Sequence, residues 1–250
     1  MKIALTFDIE RDIPNFLDTV FGVKIGLTKI LSLLDDFQIK GTFFCTGSIV
    51  KQHPQIVKLI ESKGHEIACH SLNHERLNKL NYDECKEIIS KNKKLIENEC
   101  QNSEIIGFRA PYLKPPNFLF KILKNLGFRY DSSIVSSKKS QFYDMKDDKI
   151  EEFHPSSFYI FFRFPLSFYF IRKWIFRKEL IILYFHSWEA IDVKKLISNQ
   201  KGKFSLLKNY FGRPDRCINT GDPFINRMRK FIEEALARKA QFVILKQLLA

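Results

Sequence analysis

The sequence predicts an α/β domain built on a largely parallel sheet. Three observations carry that reading. Apolar runs of strand length alternate with stretches of helical periodicity along the chain. Its 250 residues suit one domain, so residues 1–250 are read as a single unit. Asp8, His70, Arg109, Asp131 and His186 each fall at or just beyond the end of a predicted strand, where folds of this class carry their catalytic groups.

The elements follow in order. IALTF (residues 3–7) is an apolar run suited to a buried strand, and GLTKILSLLDDF (26–37) repeats apolar residues at helical spacing. GTFFC (41–45) reads as the second strand. QIVKLIESKG (55–64) reads as a helix ended by Gly64, a residue that accepts the left-handed backbone of a helix terminus. HEIACH (65–70) is a strand, YDECKEIISKNKKLIENE (82–99) a long amphipathic helix and IIGFRAP (105–111) a strand. FLFKILKNLGF (118–128) follows as a helix and FRYDSS (128–133) as a short strand. SSFYIFF (156–162) and ELIILYF (179–185) read as later strands, FINRMRKFIEEALARK (224–239) as an amphipathic helix and QFVIL (241–245) as a last strand.

Composition narrows the classes. Hydrophobic residues make up 45% of the chain, with 10 Gly and 9 Pro, which excludes a disordered or collagen-like polymer. Five cysteines without a C-x-x-C pair point to neither a disulfide framework nor a thiolate zinc site. The N-terminus reaches Asp8 before any long apolar core develops, so the expected location is cytoplasmic. The net charge of +13 attracts anions in general. Between Phe153 and Phe185 an aromatic-rich stretch is broken by Arg163, Arg172, Lys173, Arg177 and Lys178, leaving no apolar run of the roughly 18–20 residues that span a bilayer. Its mixture of aromatic and basic residues suits contact with an anionic membrane surface, at the inner face if the protein is cytoplasmic.

His70 and His74 stand four apart, so a helical turn would put both imidazoles on one face, a geometry that holds a divalent metal. Two histidines alone also fit a decorated helix start. Asp8 and Glu10 add weight: residues i and i+2 of an extended chain point the same way, bringing two carboxylates into one pocket. Two imidazoles and one carboxylate leave coordination positions open for water and substrate, as a catalytic site requires. The other carboxylate then serves as a base, and a histidine opposite as an acid.

The motifs TFDIE (6–10), GTFFCTG (41–47), HEIACHSLNH (65–74), GFRAPY (107–112), YDSS (130–133) and LYFHSWE (183–189) together resemble the polysaccharide deacetylases that share the NodB homology domain, the carbohydrate esterase type. The resemblance runs from Ile3 to about Leu249. It implies a distorted (β/α) barrel with about seven parallel strands, a divalent metal (zinc first, with cobalt, nickel or manganese as alternatives) and hydrolysis of an N-acyl group, typically acetyl, from an amino sugar. It makes Asp8 the base and His70 and His74 metal ligands, with Arg109 holding Asp8 ionised. It further makes His186 the acid, oriented by Asp131, and the Tyr112 backbone N–H after Pro111 an oxyanion donor. The common first motif is TFDDG, but here its second Asp is replaced by Ile9, which cannot ligate a metal. This chain therefore resembles the D-x-E variant, with Glu10 as the expected third ligand and Asp12 in reserve.

Tyr112 and Trp188 are packing residues by type, though either ring could stack on a pyranose, while His53, His65 and His154 read as structural. The expected partner is an N-acylated amino sugar in a glycan, or one linked to a nucleotide or to polyprenyl phosphate; nucleic acid is not expected. The alternatives are a metal-independent cyclic amidohydrolase of the same fold, allantoinase-like, which retention of His70 and His74 disfavours, and an inactive barrel that binds glycan or nucleic acid, which Asp8 and His186 disfavour.

Overall fold

The computed structural model describes residues 1–13, 17–136, 150–156, 162–164, 174–199 and 216–249. The strands are β1 (Lys2–Ile9), β2 (Thr42–Cys45), β3 (Glu66–Cys69), β4 (Gly107–Phe108), β5 (Tyr130–Asp131), β6 (Glu151–Glu152), β7 (Leu180–His186) and β8 (Gln241–Phe242). Between them run α1 (Leu27–Asp36), α2 (Gly47–Gln52), α3 (Gln55–Ser62), α4 (Tyr82–Glu99), α5 (Leu119–Asn125) and α6 (Asp222–Ala237). Spatial order across the sheet is β6-β5-β4-β3-β2-β1-β7, with β8 against the first residues of β1, and every pairing is parallel. Seven strands curl into a half-barrel, the distorted (β/α) architecture that the motifs imply. The expected strand 156–162 lies outside the described residues except for its two ends, as does most of the aromatic stretch 158–174. Among the described residues no helix is long and apolar enough to cross a membrane.

The pleat divides the chain between two cores. Ile3, Leu5, Phe7 and Ile9 of β1 pack outward against the helices with Phe43, Cys45, Ile67, Cys69, Phe108, Ile181, Leu183 and Phe185. Ala4 turns inward with Phe44, Ala68, Ile106, Tyr130, Ile182 and Leu245, filling the half-barrel. Both faces of β1 are buried, which is why it reads as a nearly continuous apolar run. Continued along β1, the inward set is Ala4, Thr6, Asp8 and Glu10, so one parity carries the structural filling at the bottom and both carboxylates at the top.

Local chemistry sets the helix ends. Asn81 accepts from the Glu84 backbone N–H at 3.0 Å while the Glu84 side chain accepts from Asn81 N–H at 2.9 Å, a reciprocal cap that starts α4 where the periodicity begins. Gly64 takes φ +74° after α3, the conformation its role as terminator requires.

The turn Gly22–Gly26, which leads into α1, packs tightly against the segment after β7. A Cβ at position 26 would stand 2.1 Å from the Ser187 carbonyl oxygen. Gly26→Ala is therefore expected to destabilise the protein by about 1–3 kcal/mol, the range for overpacking, read as a lower calorimetric Tm. An unchanged Tm would show that the contact is soft.

Candidate active site

The carboxyl ends of the strands bring the site together by register. Asp8 on β1 lies directly beside His186 on β7 and beside Phe44 on β2. His70 follows β3 and Arg109 follows β4, both on the inward parity. Asp8, Glu10, His70 and Arg109 are buried, while His74 and His186 keep 12% and 21% of their side chains open, so the site faces out through these two imidazoles.

Arg109 is fully buried and anchors the floor. Its Nη1 donates to Asp8 Oδ1 at 2.8 Å, Nη2 to Thr6 Oγ1 at 2.9 Å and to Ser132 Oγ at 3.0 Å, and Nε to the Ser132 carbonyl at 3.0 Å. The guanidinium lies 4.0 Å from the centre of the Phe44 ring. A buried cation so thoroughly bonded fixes the orientation of the Asp8 carboxylate, whose other oxygen faces His70 Nε2 at 3.6 Å.

Glu10, His70 and His74 offer ligand atoms that all lie within 4.8 Å of one another. His70 Nδ1 is 2.8 Å from the Arg109 carbonyl, which only accepts; the ring proton therefore sits on Nδ1 and the Nε2 lone pair faces the cluster. Glu10 Oε2 lies 3.5 Å from His70 Nε2 and 2.6 Å from His74 Nε2, buried and without a well-aligned hydrogen bond. Burial pushes the Glu10 carboxyl up, but the charge at His74, the contacts from both histidines and the charge at His186 outweigh it and hold the group well below the usual carboxylate range. Two imidazole nitrogens and an under-satisfied buried carboxylate are the donor set a catalytic divalent ion takes.

The spacing of the two histidines is not achieved by a helix. Residues 70–76 form an irregular loop in which Ser71 and His74 adopt φ +62° and +59°, and this reversal aims the second imidazole back at the first. The rings stand 5.2 Å apart.

Asp12, the reserve ligand, is committed elsewhere. Its carboxylate accepts from Thr19 Oγ1 at 2.7 Å, Phe21 N–H at 2.6 Å and Gly22 N–H at 2.8 Å, capping the turn that leads into α1. Asp12→Ala should then cost about 0.5–2 kcal/mol of stability, as cap removals do, without altering metal content. A weaker metal affinity in a variant that keeps its fold would return Asp12 to the ligand set.

Asp131 is not the partner of His186. Its Cα neighbours are Phe108 and Glu152, which puts it on the outward parity, across the sheet from the imidazole. There it accepts from Ser133 Oγ at 2.7 Å and Ser133 N–H at 3.0 Å and shares a hydrogen bond with Glu152; burial raises both carboxyls, and the Asp131 charge raises Glu152 further. The group beside His186 is Glu189, with Oε1 3.1 Å from Nδ1. Burial lowers His186, but the Glu189 contact and the charges of Glu10, Asp8 and Glu189 more than offset it, leaving the group above the ordinary histidine range. Sequence reasoning missed Glu189; the available signal was a carboxylate three residues after His186, one helical turn away.

Trp188 is 5% exposed and its ring stacks on His186 at 5.1 Å, so it supports the imidazole rather than offering a face to sugar. Pro111 is buried and opens a short turn in which Tyr112 takes φ +60°. The Tyr112 ring, 36% exposed, lies 4.5 Å from His74 with the Arg76 guanidinium over it at 4.3 Å. Tyr112 and His74 wall a cleft of about 170 Å³ with Thr46, Ser48, Asn73, Arg11 and Asp18.

The family model described as polysaccharide deacetylase matches residues 1–130. A peptidoglycan-N-acetylglucosamine deacetylase of Bacillus cereus is 32% identical over 115 residues, 46% of this chain and 36% of that protein. The peptidoglycan-N-acetylmuramic acid deacetylase PdaA of Bacillus subtilis is 29% identical over 156 residues, 56% of each. Such matches span about a third to a little over half of the curated relatives' length. Among solved structures, Puue allantoinase superposes with a TM-score of 0.69 at 15% identity, covering 98% of this chain and 88% of that one, a likeness of fold.

Proposed function

The chain belongs to the polysaccharide deacetylase family, and on that premise we propose that it is a metal-dependent hydrolase removing an N-acyl group, typically acetyl, from an amino sugar. The observation that carries the reading is the convergence of three parts at one end of the barrel: the Asp8–Arg109 pair, the Glu10–His70–His74 cluster and His186. Each part answers one requirement of amide hydrolysis. The whole of residues 1–250 acts as one domain in this reading.

Glu10, His70 and His74 would hold one divalent ion, zinc first, which when bound acts as a Lewis acid toward water and the amide carbonyl. Asp8, fixed by Arg109, takes the proton of the attacking water. The backbone N–H of Tyr112 is the candidate donor to the tetrahedral oxyanion. His186, on the strand beside Asp8, gives its proton to the departing nitrogen as the C–N bond breaks. In the cleft, the Thr46 and Ser48 hydroxyls and the Asn73 amide suit sugar hydroxyls, and the Tyr112 ring suits the apolar face of a pyranose.

The relatives named above act on peptidoglycan sugars, which makes N-acetylglucosamine and N-acetylmuramic acid units the first substrates to try. The test is metal analysis of the purified protein together with acetate release from a panel of N-acetylated oligosaccharides. Stoichiometric divalent metal and metal-dependent acetate release are expected. Full activity after exhaustive chelation would overturn the metal-dependent reading.

A further inference from the structure

The neighbourhood of His186 holds an arrangement that the first three parts leave unused. His186 is the last residue of β7, and the chain turns at once into a short helical turn, Ser187–Ala190, so Glu189 comes back beneath the imidazole. Glu189 Oε1 accepts from the His186 backbone N–H at 3.0 Å and faces Nδ1 at 3.1 Å. Its other oxygen lies 2.8 Å from Nε of Arg163, a residue brought in from a distant part of the chain. Both members of this ion pair are at least nine-tenths buried. Trp188 covers one face, with its ring against the imidazole and the Arg163 guanidinium 5.2 Å from its centre, and the Tyr184 ring meets the imidazole edge-on at 5.7 Å.

We infer that Arg163 and Glu189 are positioning residues that hold His186 with its Nδ1 protonated and its Nε2 aimed at the reacting nitrogen. A carboxylate only accepts hydrogen bonds, so Glu189 requires a proton on Nδ1. Nε2 is then the nitrogen that exchanges a proton with substrate, and it points toward the centre, 3.9 Å from Glu10 Oε1. Arg163 holds the carboxylate by charge rather than by an aligned hydrogen bond, and swinging Oε1 off the imidazole would draw Oε2 away from the guanidinium. In the reaction the C–N bonding pair stays with nitrogen, nitrogen takes the Nε2 proton, and the imidazole is left neutral with its remaining proton on Nδ1, still donated to Glu189 Oε1. The same logic operates where a buried carboxylate fixes the tautomer of a catalytic histidine in acyl transfer.

This inference rests on the deacylation reading, and its rival is that Glu189 merely caps the turn. Two variants separate them: Glu189→Gln, and the double variant Glu189→Leu/Arg163→Met, which removes both buried charges and so avoids stranding one. The first measurement compares an N-acetyl amino sugar with an aryl acetate, whose phenolate leaves without needing a proton. Loss of acid positioning should lower kcat on the amide by about 10²–10⁴-fold and change aryl acetate turnover by less than about 3-fold. The second is ¹⁵N NMR of histidine-labelled protein, in which neutral His186 should carry its proton on Nδ1 in the natural sequence and lose that preference in the double variant. Equal fractional losses on both substrates, or an unchanged tautomer in the double variant, overturn the assignment. If the natural sequence releases no acetate from any amide, the hydrolase reading fails, and the NMR result decides the Glu189 assignment alone.

Discussion

Asp8→Asn is expected to keep its divalent ion and its fold while lowering kcat on an N-acetyl amino sugar by about 10²–10⁴-fold, the usual worth of a general base. Asn retains an oxygen for Arg109 Nη1, and the guanidinium keeps its bonds to Thr6 and Ser132, so the buried floor stays assembled. What disappears is a carboxylate able to take a proton. Metal analysis, a calorimetric scan and steady-state kinetics on the same preparation check the three parts of this expectation. A fully active variant would end the assignment of Asp8 as base. KM should move much less than kcat, because the lost interaction belongs to the transition state.

The second large effect concerns the metal. His70→Ala, His74→Ala and Glu10→Ala should each weaken metal binding by more than the 10–100-fold typical of outer-shell partners, since each removes a direct ligand. Competition with a chelator of known affinity measures this, and activity should fall in parallel and recover in part at high metal concentration. Glu10 is the sharpest case. It would take over the role of the Asp that commonly follows the base, whose position Ile9 occupies, and its reach depends on the two-residue repeat of β1 putting positions 8 and 10 on one side. If Glu10→Ala bound metal as tightly as the natural sequence, the D-x-E reading would fail.

Much of the fold was legible because its signals are local. α4 matches its periodic stretch residue for residue, since a reciprocal cap marks its start and apolar spacing marks its face. β1, β2 and β3 were legible as apolar runs between helical segments. The pair Glu151–Glu152 was not, because two acidic residues carry no strand signal and are recruited only by pairing with Tyr130 and Asp131. α2 was hidden by its shortness. In the site, Asp8, Glu10, His70 and His74 could be found from spacing and motif, although the histidines meet through a left-handed loop where a helix was expected. The Asp131 role failed on parity: one residue along a strand is the opposite face of the sheet, and motif order alone does not say which face a side chain takes. Arg163 could not be linked to Glu189 from sequence, because they stand 26 positions apart and only the folded chain brings them together.

The side-by-side register of Asp8 and His186 bears on how this protein can change. The two groups proposed to transfer protons are set by neighbouring strands of one ladder, whose separation of about 4.7–4.9 Å is a constant of the polypeptide. Cleft residues such as Asn73 and Tyr112 sit instead on loops that no ladder constrains. Under the proposed function, insertions and substitutions there would retarget the protein to another sugar while the spacing of Asp8 and His186 stays untouched. Selection for new specificity and selection for turnover thus act on separable parts of the chain. Directed evolution restricted to those loops should yield altered substrate ranking without resetting the chemistry.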